Sequence, residues 1–233
     1  MLGGLGIVKR ASGMNPLGLF LAGLILAGVT DGWRGVKALL ARLVRVRFHV
    51  KWFLIALLLA PALAFLALAI GLLLGAKLPG NRANPADLIP TFLIMFFFVG
   101  LGEEPGWRGF LLPTLQHSYP PLKSSLIVGV VWAVWHAPLY GTQIPWEQTV
   151  PFFLNVIAGS VVIAWIFNGA RESVLLTMLM HAVNNTVGGA YVSQLLHGAD
   201  LTHWWWIFTA LWVLVAALVA LLAGPSFRSR QQP

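Results

Sequence analysis

Three short stretches hold most of the chemistry-bearing side chains that fall near long apolar runs. They are Glu103-Glu104-Pro-Gly-Trp-Arg108, Trp132-Ala-Val-Trp-His136 and His181-Ala-Val-Asn-Asn185. Each ionisable group at membrane depth costs roughly 2.5 kcal/mol or more on insertion scales, so such groups face protein or a wet cavity and mark function. Glu104 and Arg108 are four apart and can pair on a helix. Pro105 complicates that pairing, because a proline biases the residue before it away from helical angles and kinks a span. Glu103 has no near partner in sequence, which makes it the candidate general base. His181 and Asn185 share one helical face, and Asn184 points about 100° away from Asn185.

Each stretch also has a plainer reading. Glu104 and Arg108 could be an ion pair at a helix end, His136 a hydrogen-bonded packing residue, and His181 with Asn185 polar glue between helices. Together they point to one hydrolytic site inside a bundle.

The rest of the chain must supply the elements that position them. Of 233 residues, 58% are hydrophobic and 9% charged, against about 25% charged in soluble domains. With a mean hydropathy of +0.82, the expected fold is all-α, a polytopic transmembrane bundle of about seven spans in one integral domain over 1–233. The net charge of +8 is gathered in short segments, which suits an anionic leaflet and argues against nucleic acid. There is no cysteine, so disulfides, thiolate metal sites and cysteine nucleophiles are excluded.

In order, 16–30 is an uncleaved first span, short of the ~20 residues that crossing needs. Residues 31–51 form a basic amphipathic segment on the inner leaflet, or an ordinary basic loop. Further spans are expected at 52–76, from Leu88, at 124–139, 150–167, 173–192 and 204–223, the last opening on Trp204-Trp205-Trp206 as an interfacial anchor. If the span from Leu88 ended at Glu104, the acids would sit at the rim while His136 lay ~20 Å in, at 1.5 Å per residue. One long kinked helix from about Leu88 to about Gln116 removes that mismatch. His117, His197 and His203 read as solvated. Asp31, Asp87 and Asp200 lie outside the spans, which disfavours an aspartyl pair. With 31–51 in the cytoplasm, Lys and Arg outside the site divide ten to four in favour of that side, and the C-terminus is cytoplasmic. No His-Glu-x-x-His, Gly-x-Ser-x-Gly or phosphate-loop motif occurs.

On these residues the chain resembles the CAAX protease and bacteriocin-processing (Abi) family, intramembrane endopeptidases related to the Ras-converting CAAX endopeptidase. The Glu-Glu-x-x-x-Arg motif is Glu103 to Arg108, Phe-x-x-x-His is Trp132 to His136 with tryptophan for phenylalanine, and His-x-x-x-Asn is His181 to Asn185. The substitution puts only local packing in doubt. The resemblance implies a catalytic core over 88–192 with a conical interior cavity open to the cytoplasm, in a prokaryotic plasma membrane. It implies that Glu103 activates water, His136 positions it, and His181 and Asn185 stabilise the oxyanion. Glu104 and Arg108 would hold and tune Glu103. A metal version would use His136 and His181 as ligands to a zinc-like divalent ion; a metal-free glutamate mechanism uses the same residues. The substrate would be a membrane-anchored protein or peptide. Two other classes compete: a non-catalytic immunity or scaffold protein, and a transporter using the Glu/His cluster as a proton or metal relay.

Overall fold

A computed structural model describes residues 15–78 and 83–227. Lys9, Arg10, Arg82, Arg228 and Arg230 of the charge count, and the Pro79-Gly80 turn, lie outside the described residues. Among the described residues the ordered backbone is helical, with one isolated bridge between Tyr140 and Ile144. We number the main helices α1 (Leu17–Leu43), α2 (Val50–Leu73), α3 (Pro85–Gln116), α4 (Pro121–Trp135), α5 (Trp146–Gly169), α6 (Val174–Asn184) and α7 (Gly198–Ala223). Six of these, α4 being taken to Leu139 and α6 excepted, are long and apolar enough to cross a bilayer. A seventh rod is α6 with its continuation, a π turn Asn185–Tyr191 and a 3-10 turn Val192–Leu195. Large apolar side chains such as Ile25, Leu73 and Leu222 face outward while Glu104 and Arg108 are fully buried. That inside-out polarity belongs to an integral membrane protein.

The N-terminal expectation needs correction. The short apolar stretch and much of the basic segment form one 27-residue helix, α1, kinked where Gly32 takes φ 60° and ψ −150°. Only glycine reaches that conformation cheaply. The second limb does not simply lie on a leaflet. Leu39 is buried, and a Cβ on Gly109 of α3 would meet it at 3.3 Å. Arg42 Nε bonds Glu172 Oε2 at 2.9 Å, and its Nη1 donates to the Gly109 carbonyl at 3.0 Å. The first limb crosses α3 where Gly102 and Gly106 remove side-chain bulk. A Cβ on Gly106 would stand 2.7 Å from the Leu19 carbonyl oxygen, and one on Gly102 2.6 Å from Pro16 Cβ. Small residues four apart let two backbones meet in this way.

Helix α3 is the long rod expected from Leu88 to Gln116, with an added 3-10 turn at Pro85–Asp87. It contains two π segments, Met95–Gly100 and Pro105–Leu111. Glu104 keeps helical angles, φ −61° and ψ −35°, although Pro105 follows. The expected bias away from helix fails because the wider π turn absorbs the missing N–H and gives the ring room.

Helix α5 packs between α4 and α7. Ser160 Oγ donates to the Ser125 carbonyl at 3.0 Å, and Thr209 Oγ1 to that of Pro151 at 2.8 Å. The tryptophan triplet is not a uniform interfacial anchor. Helical rotation of about 100° per residue turns Trp204 inward, where it stacks on Phe208 at 4.8 Å and donates to the Ala64 carbonyl at 3.2 Å. Trp206 alone of the three is exposed. His117 and His203 are exposed as expected, but His197 is half-buried with an unpartnered Nε2. Asp31 and Asp200 fall within α1 and α7, at the kink and the first turn, far from a paired arrangement.

Candidate active site

Glu103 and Glu104 sit near the middle of α3, between its two π segments. π turns inside α-helices recur at functional sites because they re-aim side chains. Glu103 is 4% exposed, and its Oε2 accepts hydrogen bonds from Trp132 Nε1 at 2.7 Å and Trp107 Nε1 at 3.4 Å. Oε1 accepts none among the described residues. Glu104 Oε1 receives Arg108 Nη1 at 2.8 Å and His181 Nδ1 at 2.9 Å. The Arg108 guanidinium lies over the Trp132 ring at 4.4 Å, a favourable cation–π contact away from water. Glu104 Oε2 and Arg108 Nε and Nη2 are buried without hydrogen-bond partners. Thr177, one turn before His181, lies beside the Glu104 carboxyl.

His136 caps the C-terminal end of α4, and a 3-10 turn, Ala137–Leu139, follows it. The helix thus stops at the histidine, short of the expected Leu139. His136 Nδ1 lies 2.8 Å from the Trp132 carbonyl. A carbonyl only accepts, so Nδ1 carries the proton and Nε2 keeps its lone pair in the neutral ring. The Trp132 ring also meets His136 at 5.9 Å and His181 at 5.0 Å between centroids. Trp132 is therefore the hub: it holds Glu103, carries Arg108 and touches both imidazoles. The expectation that tryptophan here affects only local packing understated it.

Asn185 is not drawn into this network. It begins the π turn after α6, is half-buried, and its Oδ1 accepts from Asn184 Nδ2 at 3.4 Å. The two asparagines, expected to point apart, are hydrogen-bonded neighbours. Glu103, Glu104, Arg108 and His181 are closed in, and exposure enters the cluster at His136 and Asn185.

Fixing both Nδ1 atoms leaves two Nε2 atoms and Glu103 Oε1 as the donors a catalytic zinc would need, three in number. Among the described residues no group of three or more His, Cys, Asp or Glu side chains could hold a metal ion. As placed, these donors are not gathered into such a group.

The family model for type II CAAX prenyl endopeptidases, Rce1-like, matches residues 85–187. Over these residues the chain is similar to that family. That match begins with α3 and ends two residues beyond Asn185, so it encloses all three stretches. CAAX prenyl protease 2 of Methanococcus maripaludis is 25% identical over 151 residues, 59% of this chain and 55% of that relative. The chain thus spans about half the length of this curated relative.

Proposed function

We propose that this protein is an intramembrane endopeptidase that hydrolyses a peptide bond of a membrane-anchored protein or peptide, without a resident metal. The observation that carries the reading is the pair of contacts from α3, Glu103 to Trp132 of α4 and Glu104 to His181 of α6. Through them one carboxylate is held with a free oxygen beside two imidazoles.

In this mechanism a water donates one hydrogen bond to Glu103 Oε1 and the other to His136 Nε2. Glu103 takes a proton as the water oxygen attacks the scissile carbonyl carbon. The oxyanion is held by Asn185 Nδ2 and by the His181 imidazole, whose Nδ1 stays on Glu104 Oε1. Collapse of the intermediate breaks the C–N bond, and Glu103 returns its proton to the leaving nitrogen. Glu104 and Arg108 touch no reacting atom; they position His181 and Trp132.

The relative's name makes CAAX-type C-terminal tails the first substrates to try. We place the protein in a prokaryotic plasma membrane with 31–51 cytoplasmic and the site open to that side, on the excess of basic residues there. The test is a comparison of membrane-protein termini in cells carrying the wild type and Glu103→Ala. New termini that vanish in the variant support proteolysis. Identical termini in the two, with a proton or metal flux that depends on Glu103, would move the reading to a transporter; identical termini without flux would move it to a binding protein.

A further inference from the structure

The basic residues at one end of the bundle are arranged more specifically than a diffuse positive face requires. The connection between α1 and α2 meets the turn between α5 and α6. Arg45 Nη1 donates to the Arg171 carbonyl, and Ser173 Oγ donates to the Arg45 carbonyl at 2.7 Å. Arg171 and Glu172 both adopt left-handed backbone angles, φ 57° and 62°, a conformation costly for residues with side chains and kept only where surroundings enforce it. Between the two segments opens a cleft of about 410 Å³ lined by Ala41, Val44, Arg45, Val46, Arg47 and Arg171.

Three guanidiniums thus border one cleft. The nearest carboxylate, Glu172, is occupied by Arg42 at 2.9 Å and stands 3.9 Å from Arg45. Among the described residues Arg47 and Arg171 have no acidic partner. Val44 and Val46, which share the cleft, are 73% and 66% exposed. The first segment joins α1 to α2 and the second follows α5, all long and apolar enough to cross a bilayer, which by length puts the cleft near the depth where headgroups meet acyl chains. Guanidinium forks match phosphate oxygens in geometry and charge, and exposed valines beside them suit an apolar tail.

We propose that this cleft binds a phosphate-bearing anion, with the phosphate on Arg45, Arg47 and Arg171. At this depth the source is an acidic phospholipid headgroup. The site is separate from the acid–imidazole cluster and does not depend on the proposed protease activity.

The test is native mass spectrometry of the full chain in detergent, titrated with phosphatidylglycerol, phosphatidylcholine or inorganic phosphate. Wild type should bind phosphatidylglycerol in preference to phosphatidylcholine, and Arg47→Gln with Arg171→Gln should weaken it by roughly tenfold. Arg47→Gln alone, at an exposed and unpaired position, serves if the double variant does not fold. Arg34→Gln, an exposed cation outside the cleft, should leave binding unchanged. Millimolar inorganic phosphate that fails to displace the lipid supports the headgroup as source; displacement supports the same site filled by free phosphate. Equal binding of the two lipids, or equal weakening by Arg34→Gln and Arg47→Gln, would overturn the proposal.

Discussion

Glu104 and Arg108 form a fully buried ion pair, which is a poor source of net stability but a costly one to break. Glu104→Gln keeps an oxygen that can accept from Arg108 but removes the carboxylate charge that neutralises it in the interior. We expect a loss of about 3–5 kcal/mol, read as a lower denaturation midpoint in detergent. An unchanged midpoint would mean that Arg108 finds another acceptor. Trp132→Phe is a gentler change: it keeps the ring under Arg108 and removes the N–H that holds Glu103. A hydrogen bond to a charged group is worth about 1.5–3 kcal/mol, so kcat should fall by about tenfold or more while the fold persists. The three stretches were legible as sequence because ionisable and imidazole side chains stand out against apolar runs. The role of Trp132 was not. In a chain with 11 tryptophans, nothing local says which indole reaches a carboxylate 29 positions away.

At the scale of elements, α3 was read almost to its ends, since an apolar run bounded by Asn84-Pro85 and a loop near His117 leaves little freedom. Its π segments were not foreseen. Hydrophobic periodicity cannot separate 3.6 from about 4.4 residues per turn over one turn, although Pro105 between two glycine-bearing turns was a local hint. The merging of the first span with the basic segment was also hidden. It depends on Gly32 at the kink and on Arg42 reaching Glu172, 130 residues away. Close crossing of α1 and α3 gives an element-scale prediction. Gly106→Val drives a side chain into the Leu19 carbonyl and should cost about 1–3 kcal/mol, measured by unfolding. Gly18→Val, where a Cβ meets nothing within 4 Å, should cost little. Equal effects would remove the crossing as the cause.

For the whole molecule, alternation in direction along the seven described rods would put the loops 44–49, 117–120 and 170–173 at one end. The absence of native cysteine makes this simple to test. Ser118→Cys and Thr142→Cys, both exposed, should react with an impermeant thiol reagent from opposite faces of sealed vesicles, Ser118→Cys from the cytoplasmic face. Labelling of both from one face would break the alternation. The donor set makes a second molecule-wide prediction: cleavage by purified protein should survive dialysis against a strong chelator. Loss of activity restored by zinc would show that Glu103 and the two imidazoles close on a metal.

The most direct test is cleavage of a membrane-anchored peptide with a lipidated C-terminal tail by the purified protein in liposomes, wild type beside Glu103→Gln. Wild type should release the tail, and the variant, folded and inserted as well as the parent, should be slower by at least about a hundredfold. Equal rates for the two would contradict the assignment of Glu103 as the base and, with it, the site.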